Sequence, residues 1–269
     1  MFKLLACDID HTILPPGGSV SDRDIAALHR LHQAGVVVVL ASGRARASTR
    51  RILEGIFREE RPDYLISYNG ARVDSLAEER TLLATNLEPV IIDEIARWCR
   101  REGAFIQGYT DTNILVEEDN PFIKPYVAAA SIPYRIVPSI AAEVTAQGGS
   151  PKLVCHDRQE RLPHHIETLG ALARGRWTVV TSIPYFLEIL PPHTNKGVAL
   201  RALAEHLGIP MEQTIALGDN LNDMEMIREA GMGLAVANAV PQLKEIADWV
   251  TTRDATQSAL AEVVERYFP

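Results

Sequence analysis

The chain has 269 residues, enough for one large or two small domains, and 46% hydrophobic with 23% charged residues excludes disordered, collagenous and low-complexity classes. Its formal charge of −8, from 27 basic and 35 acidic residues, argues against nucleic acid as the main partner, because a surface that grips phosphates carries a basic surplus. Cys7, Cys99 and Cys155 are odd in number and form no CxxC pair, so they read as reduced thiols in a cytoplasmic setting rather than as a disulfide framework or zinc site.

In chain order, residues 3–7 form a short apolar run of the kind found in a buried parallel strand, and Asp8 closes it. That run is too short for a signal peptide, and the longest obvious apolar stretch, residues 36–41, falls far below the ~18 residues of a membrane helix. After a Pro/Gly-rich loop, Ser21 begins a helix with Asp24 in a capping-box position, and Gly35 stops it. Residues 36–40 are a second strand, ending at Ala41-Ser42-Gly43-Arg44, and another helix is expected to run to about Glu60. Residues 63–67 give a third strand, ending at Asn69-Gly70. Strands alternating with helices specify βαβ units and a parallel sheet.

The rhythm changes after residue 84. A helix over residues 89–102 precedes two β-rich runs, 104–109 and 113–116, and a Pro-rich stretch. A strand over 152–156, a helix over 160–173 and strands over 177–181 and 185–190 follow. Helix plus hairpin, then strand, helix and hairpin, describe a separate antiparallel α+β module with Pro191-Pro192 as its exit. The α/β rhythm then resumes with a helix from Lys196 capped by Asn195, a strand over 214–217 ending at Gly218-Asp219, a helix over 222–230, a strand over 233–236 and a last helix over 256–267. The expected fold is a doubly wound, Rossmann-like α/β core, residues 1–84 and 192–269, carrying an inserted α+β cap, residues 85–191.

Asp8, Asp10 and Ser42 end predicted strands, Asp219 and Asp223 follow a third, and Lys196 opens a helix. Ligands of an open α/β sheet bind beyond the carboxyl ends of its strands, so these clusters are expected to share one crevice. Four carboxylates there would repel and raise one another's pKa. A hard divalent cation relieves that, and oxygen-only ligands suit Mg²⁺. Ser42, a helix start at Gly43-Arg44 and Lys196 are the parts of a phosphate cradle. Cation, cradle and exposed carboxylate together fit phosphoryl transfer to Asp. Simpler readings stand beside these: Ser42 as a helix N-cap, Lys196 as a surface lysine, and Asn69-Gly70 as a hairpin turn. Arg44 fits either substrate or a core carboxylate, and His164-His165 read as surface or core. P-loop, GxSxG and HExxH patterns are absent, and Ile13 stands where a cysteine phosphatase built on Cys7 would need Arg.

Asp8-Ile9-Asp10-His11-Thr12, Ser42 after an apolar strand, Lys196-Gly197 and Gly218-Asp219-Asn220-Leu221-Asn222-Asp223 resemble the four motifs of the haloacid dehalogenase superfamily. DxDxT by itself also arises by chance, whereas the ordered set is specific. The large insertion, preceded by Tyr68-Asn69-Gly70-Ala71, resembles the Cof-type branch with a type IIB cap. The resemblance implies that Asp8 is the nucleophile and Asp10 the general acid/base. It implies Mg²⁺ held by Asp8, the Asp10 backbone carbonyl and Asp219, with Asp223 and Asn222 orienting that shell or the phosphate. It places Ser42 and Lys196 on the transferring phosphoryl group and brings Thr12, Gly43, Arg44, Asn69 and Gly70 to the phosphate or substrate. His11 departs from the family's usual Gly; its imidazole either faces the leaving group or points away. The expected activity is a Mg²⁺-dependent phosphatase acting on a small phosphorylated metabolite, a sugar phosphate being one candidate, through an aspartyl phosphate. A phosphomutase sharing the first half-reaction and a non-enzymatic receiver-like phospho-Asp module are the rival readings.

Overall fold

The computed structural model describes residues 1–56, 62–183 and 186–268. The expected helix end near Glu60 and strand start at Tyr185 lie outside these described residues. The elements run β1 (Leu4–Asp8), α1 (Asp22–Gln33), β2 (Val37–Ala41), α2 (Arg46–Ile56), β3 (Tyr64–Ser67), β4 (Arg72–Ser75), β5 (Arg80–Ala84), α3 (Pro89–Glu102), β6 (Phe105–Tyr109) and β7 (Ile114–Val116). They continue α4 (Ile123–Ala130), β8 (Tyr134–Ile136), α5 (Ile140–Glu143), β9 (Leu153–His156), α6 (Leu162–Ala173), β10 (Thr178–Ile183) and β11 (Phe186–Leu190). The chain closes with α7 (Lys196–Leu207), β12 (Thr214–Gly218), α8 (Met224–Glu229), β13 (Met232–Ala235), α9 (Pro241–Ile246), β14 (Trp249–Val250) and α10 (Ala259–Tyr267).

Two compact units result: Met1–Gly43, Thr49–Leu83 and Asn195–Pro269 form the first, and Arg44–Ser48 with Ala84–Thr194 form the second. The first is built on a sheet of order β14-β13-β12-β1-β2-β3-β4-β5. From β14 to β3 the neighbours are parallel, and β4 returns antiparallel to β3. From β1 the chain proceeds outward through β2 and β3, whereas β12 docks on the other side of β1. That is a topological switch point, where strand ends leave a crevice for ligand. β1 is buried at every residue. Burying Leu4 and Leu5 contributes roughly 1.5–3 kcal/mol each, which offsets the cost of carrying the Asp8 carboxylate inside.

Local signals act as the sequence predicts. Ser21 caps α1, accepting from the Asp24 N–H at 3.0 Å, and Asn195 caps α7, accepting from the Val198 N–H at 2.8 Å. Gly208 closes α7 in the left-handed region at φ 65°.

The second unit keeps the helix-hairpin-strand-helix-hairpin order with α4, β8 and α5 added between β7 and β9, and β8 pairs parallel to β7, so the sheet is not wholly antiparallel as expected. Its sheet has the order β10-β11-β9-β6-β7-β8. Ile92, Ile95, Ala96 and Cys99 of α3 and Leu169 of α6 share a buried cluster with Ile106, Leu153, Cys155, Leu187 and Ile189 of the sheet. Cys7, Cys99 and Cys155 are free, buried thiols.

The sequence reading misses several short elements. The β4–β5 hairpin begins directly after Gly70, and its outer strand is largely exposed, so it carries no apolar alternation. β8 has three residues and β14 only two, too short for periodicity to register.

Candidate active site

Asp8 is the last residue of β1, and Asp219 directly follows β12, β1's parallel neighbour. Their carboxylates therefore meet beyond the same sheet edge although the residues come from opposite ends of the chain. Thr12, fully buried, sets its hydroxyl 3.0 Å from Oδ2 of Asp8 and 3.2 Å from Oδ1 of Asp219. It ties the two carboxylates together.

Lys196 stands at the first turn of α7 and is also fully buried. Its ammonium donates to Asp8 Oδ1 at 2.5 Å and to Asp223 Oδ1 at 2.6 Å. The surface-lysine alternative falls away. Asp223 is saturated from the other side: its Oδ2 accepts from the backbone N–H groups of Asp219, at 3.0 Å, and Asn220, at 3.1 Å. Gly218 permits this turn, because a Cβ there would come 2.6 Å from that of Asp223.

Asp8, Asp219 and Asp223 each offer a carboxylate oxygen within 4.8 Å of the others. The Asp10 carboxylate is outside that set, and the residue itself is half-buried. Crowding has an electrostatic signature. Burial first, and then the charge of Asp223, push Asp8 well above the usual carboxylate range against the pull of Lys196. The same causes in the same order bring Asp219 up to about 6. For Lys196, burial works against its charge, but Asp223 and Asp8 outweigh it and hold the ammonium protonated. A set of hard oxygen donors whose mutual repulsion favours protons is also one that fits a divalent cation. Asp8, Asp219 and Asp223 together are the carboxylates that could hold such an ion.

The Ser42 loop differs from expectation in one respect. α2 begins at Arg46, not at Gly43-Arg44, so Ser42 is four residues upstream of the helix and does not cap it. The amides at Gly43-Arg44 are loop amides rather than a helix terminus. Ser42 is fully buried and pinned by its backbone: its N–H donates to Ile66 O at 2.8 Å and its C=O accepts from Asn69 N–H at 3.1 Å. Arg44 groups with the second unit.

Asn69-Gly70 forms the expected turn. Tyr68, Asn69 and Gly70, at φ 53°, 54° and 102°, make the tight turn between β3 and β4. Asn69 is also buried in the site, where its Oδ1 accepts from Asn222 Nδ2 at 3.1 Å. Gly43 has no room for a Cβ, which would come 2.8 Å from that same oxygen. Gly70 is required by α7: a Cβ on it would lie 2.2 Å from Asn195 O.

Two participants escape the sequence reading. Asn220 completes a reciprocal cap with Asp223, a signal present in the spacing Asn-x-x-Asp. Asn238 holds the His11 carbonyl through its Nδ2 at 2.8 Å, a contact across 227 positions that no local pattern encodes. In the second unit, His164 is exposed and His165 is buried with its Nε2 at 2.7 Å from Asp157 Oδ2.

Similarity to known proteins is extensive. A sequence model of haloacid dehalogenase-like hydrolases matches residues 5–264. An HMP-PP phosphatase of Cronobacter sakazakii is 33% identical over 248 residues, 90% of this chain and 87% of the relative. The crystal structure of a haloacid dehalogenase-like hydrolase from Bacteroides thetaiotaomicron superposes with a TM-score of 0.89 at 26% identity, covering 99% of each chain. A Thermotoga maritima protein of known crystal structure gives 0.87 at 33% identity, covering 99% of this chain and 97% of that one.

Proposed function

The chain belongs to the haloacid dehalogenase-like hydrolase family, and from that membership we propose that it is a Mg²⁺-dependent phosphatase of a small phosphorylated metabolite with Asp8 as its nucleophile. The observation that carries this reading is the buried ion triad: Lys196 bonded to both Asp8 and Asp223, with Asp219 beside them. So many buried charges serve stability poorly, and they concentrate where chemistry needs them.

Asp8 and Asp219 would hold a Mg²⁺ ion, which would supply positive charge to the transferring group and favour the ionised form of Asp8. Lys196 and the Thr12 hydroxyl hold one oxygen each of the Asp8 carboxylate, fixing its plane for in-line approach. A carboxylate oxygen of Asp8 forms the new bond to phosphorus as the bond to the ester oxygen breaks, and Asp10 gives that oxygen its proton. Asp10 then takes a proton from the water that attacks the aspartyl phosphate, releasing inorganic phosphate and restoring Asp8. Asp223 positions Lys196, and Asn69 and Asn222 hold the Ser42 loop and the Asp223 turn in register. Ser42, Gly43 and Lys196 neutralise the transferred group.

The inserted unit selects the leaving group, as loops and modules added to a rigid scaffold commonly do. Membership of a hydrolase family and a phosphatase among the relatives favour transfer to water over phosphate return to a sugar. Among the described residues no helix is long and apolar enough to cross a membrane, and three unpaired buried thiols suit a reducing cytoplasm.

The test is Asp8→Asn, nearly isosteric and unable to attack phosphorus. Phosphate release from a panel of phosphorylated metabolites, measured with and without Mg²⁺, should fall at least about 10³-fold. Mg²⁺-dependent turnover that survives the substitution removes Asp8 from the nucleophile's role.

A further inference from the structure

His164 and His165 stand in the first turn of α6, and Glu102 is the last residue of α3, both helices of the second unit. Successive helix positions point about 100° apart, and the two histidines differ accordingly: His164 is exposed and His165 fully buried. Their rings nevertheless stay close, with centroids 5.7 Å apart. Glu102 closes the triangle. Its Oε2 is 3.4 Å from Nε2 of His164, and one potential ligand atom from each of the three residues lies within 4.8 Å of the other two. Ligands about 2.0–2.1 Å from a tetrahedral cation stand roughly 3.4 Å from one another, so the His164–Glu102 edge already has a coordination spacing.

His165 is prepared from behind. Its Nε2 stands 2.7 Å from Oδ2 of Asp157. A carboxylate only accepts, so Nε2 carries the hydrogen, and the lone pair of the neutral ring is left on Nδ1. That nitrogen is buried and has no hydrogen-bond partner among the described residues, a state that folded proteins seldom leave unexplained. Trp98 packs edge-on against the ring, centroids 5.0 Å apart and planes at 84°, and so fixes its orientation. One nitrogen held by a carboxylate and the other bare is the arrangement of a metal-bound imidazole.

We infer that Glu102, His164 and His165 form a site for a divalent transition-metal ion such as Zn²⁺, which ties the end of α3 to the first turn of α6. His165 Nδ1 is the nitrogen left for the ion, since Nε2 serves Asp157. Two imidazoles and one carboxylate suit zinc and its neighbours, whereas Mg²⁺ prefers oxygen donors alone. The exposure of His164 gives the ion a way in and leaves a fourth position to water. Arg161 lies against the same groups, 3.0 Å from Asp157 Oδ2 and 3.4 Å from Glu102 Oε2. Its shorter contact stays beside a bound ion, and the longer one is the contact that the ion replaces. This site is independent of the phosphatase reading.

The experiment titrates Zn²⁺ calorimetrically, in excess Mg²⁺, into wild type, His164→Ala and Glu102→Gln. His164 is exposed and Glu102→Gln is nearly isosteric, so both variants should fold, whereas replacing the buried His165 would confound folding with binding. Asp8, Asp219 and Asp223 are intact in all three proteins, so any Zn²⁺ taken up there cancels from the comparison. Wild type should bind a Zn²⁺ equivalent whose Kd rises at least about tenfold in either variant. Zn²⁺ should also raise the thermal unfolding midpoint of wild type more than that of either variant, because the ion binds only the folded arrangement. A surface ion pair between His164 and Glu102 alone predicts no such difference. Coincident isotherms for the three proteins overturn the inference, as do equal rises in the three midpoints or a wild type that binds no Zn²⁺.

Discussion

Lys196 Nζ lies 2.5 Å from Oδ1 of Asp8 across 188 positions of sequence, and neither side chain is more than marginally exposed. The same ammonium is 2.6 Å from Asp223. One fixed positive charge therefore holds together strand β1, the turn after β12 and the start of helix α7. The site and the first unit's core share this joint.

Lys196→Met should accordingly be damaging beyond its effect on catalysis. It leaves two buried carboxylates without their counter-charge, a change that costs about 3–5 kcal/mol when one partner of a buried pair is removed. The folded-state pKa of Lys196 is raised above its ordinary 10.5, so the ammonium's own contribution is complete below that pH and is lost as pH rises through the raised value. Urea unfolding at pH 7 measures it in full. A loss below about 1 kcal/mol would mean that Asp8 and Asp223 are stabilised by something other than this ammonium.

Gly70 and Gly208 offer a matched pair of glycines with positive φ, 102° and 65°. A Cβ on Gly208 would meet nothing within 4 Å, whereas on Gly70 it would stand 2.2 Å from Asn195 O and 3.2 Å from Lys196 N. Gly208→Ala should cost about 1 kcal/mol, the backbone penalty alone, and leave kcat intact. Gly70→Ala adds overpacking against the start of α7, about 1–3 kcal/mol more, and should cut activity by displacing Lys196. Denaturation midpoints and phosphate-release rates of the two variants decide it, and equal effects would show that the turn does not position α7.

His156 predicts an acid-sensitive second unit. It is almost fully buried, its Nε2 is 2.8 Å from Gln107 Oε1, and its Nδ1 has no hydrogen-bond partner among the described residues. Burial first, and then the charge of Lys152, lower its pKa from 6.5 to about 3. Between those values the unfolded chain takes up a proton that the folded one refuses. Stability should therefore fall as pH drops from about 6.5 toward 3, by up to about 1.4 kcal/mol per unit. In His156→Gln that slope should be shallower by the same amount, measured by urea unfolding from pH 7 to pH 4. Parallel pH profiles for wild type and variant would rule out this histidine as the source.

What the sequence makes legible is local. Asp8 and Asp219 are readable because each closes a short apolar run, and a sheet edge is where ligands gather. Asn195 and Ser21 are readable because capping is decided within three residues. The partners of Lys196 are not local: its bonds to Asp8 and Asp223 depend on where α7 docks, and nothing in Asn195-Lys196-Gly197 marks that lysine as buried. The start of α2 is misplaced because Ser42 resembles a cap, whereas its backbone is engaged by Ile66 and Asn69 from β3 and the following turn. The β4–β5 hairpin is hidden by the exposure of β5, which removes the alternation that betrays a half-buried strand.

The position of β1 governs how the protein comes into being. Leu4 pairs with Val37 on one side and with Thr214 on the other. During synthesis the first partner emerges early and the second only after most of the polypeptide has left the ribosome. Until then the strand presents a bare, apolar border, a template for adhesion to other chains. A nonsense mutation between Ala84, the end of β5, and residue 214 should thus yield insoluble material rather than an inert fragment, even though the entire DxDxT segment has been made.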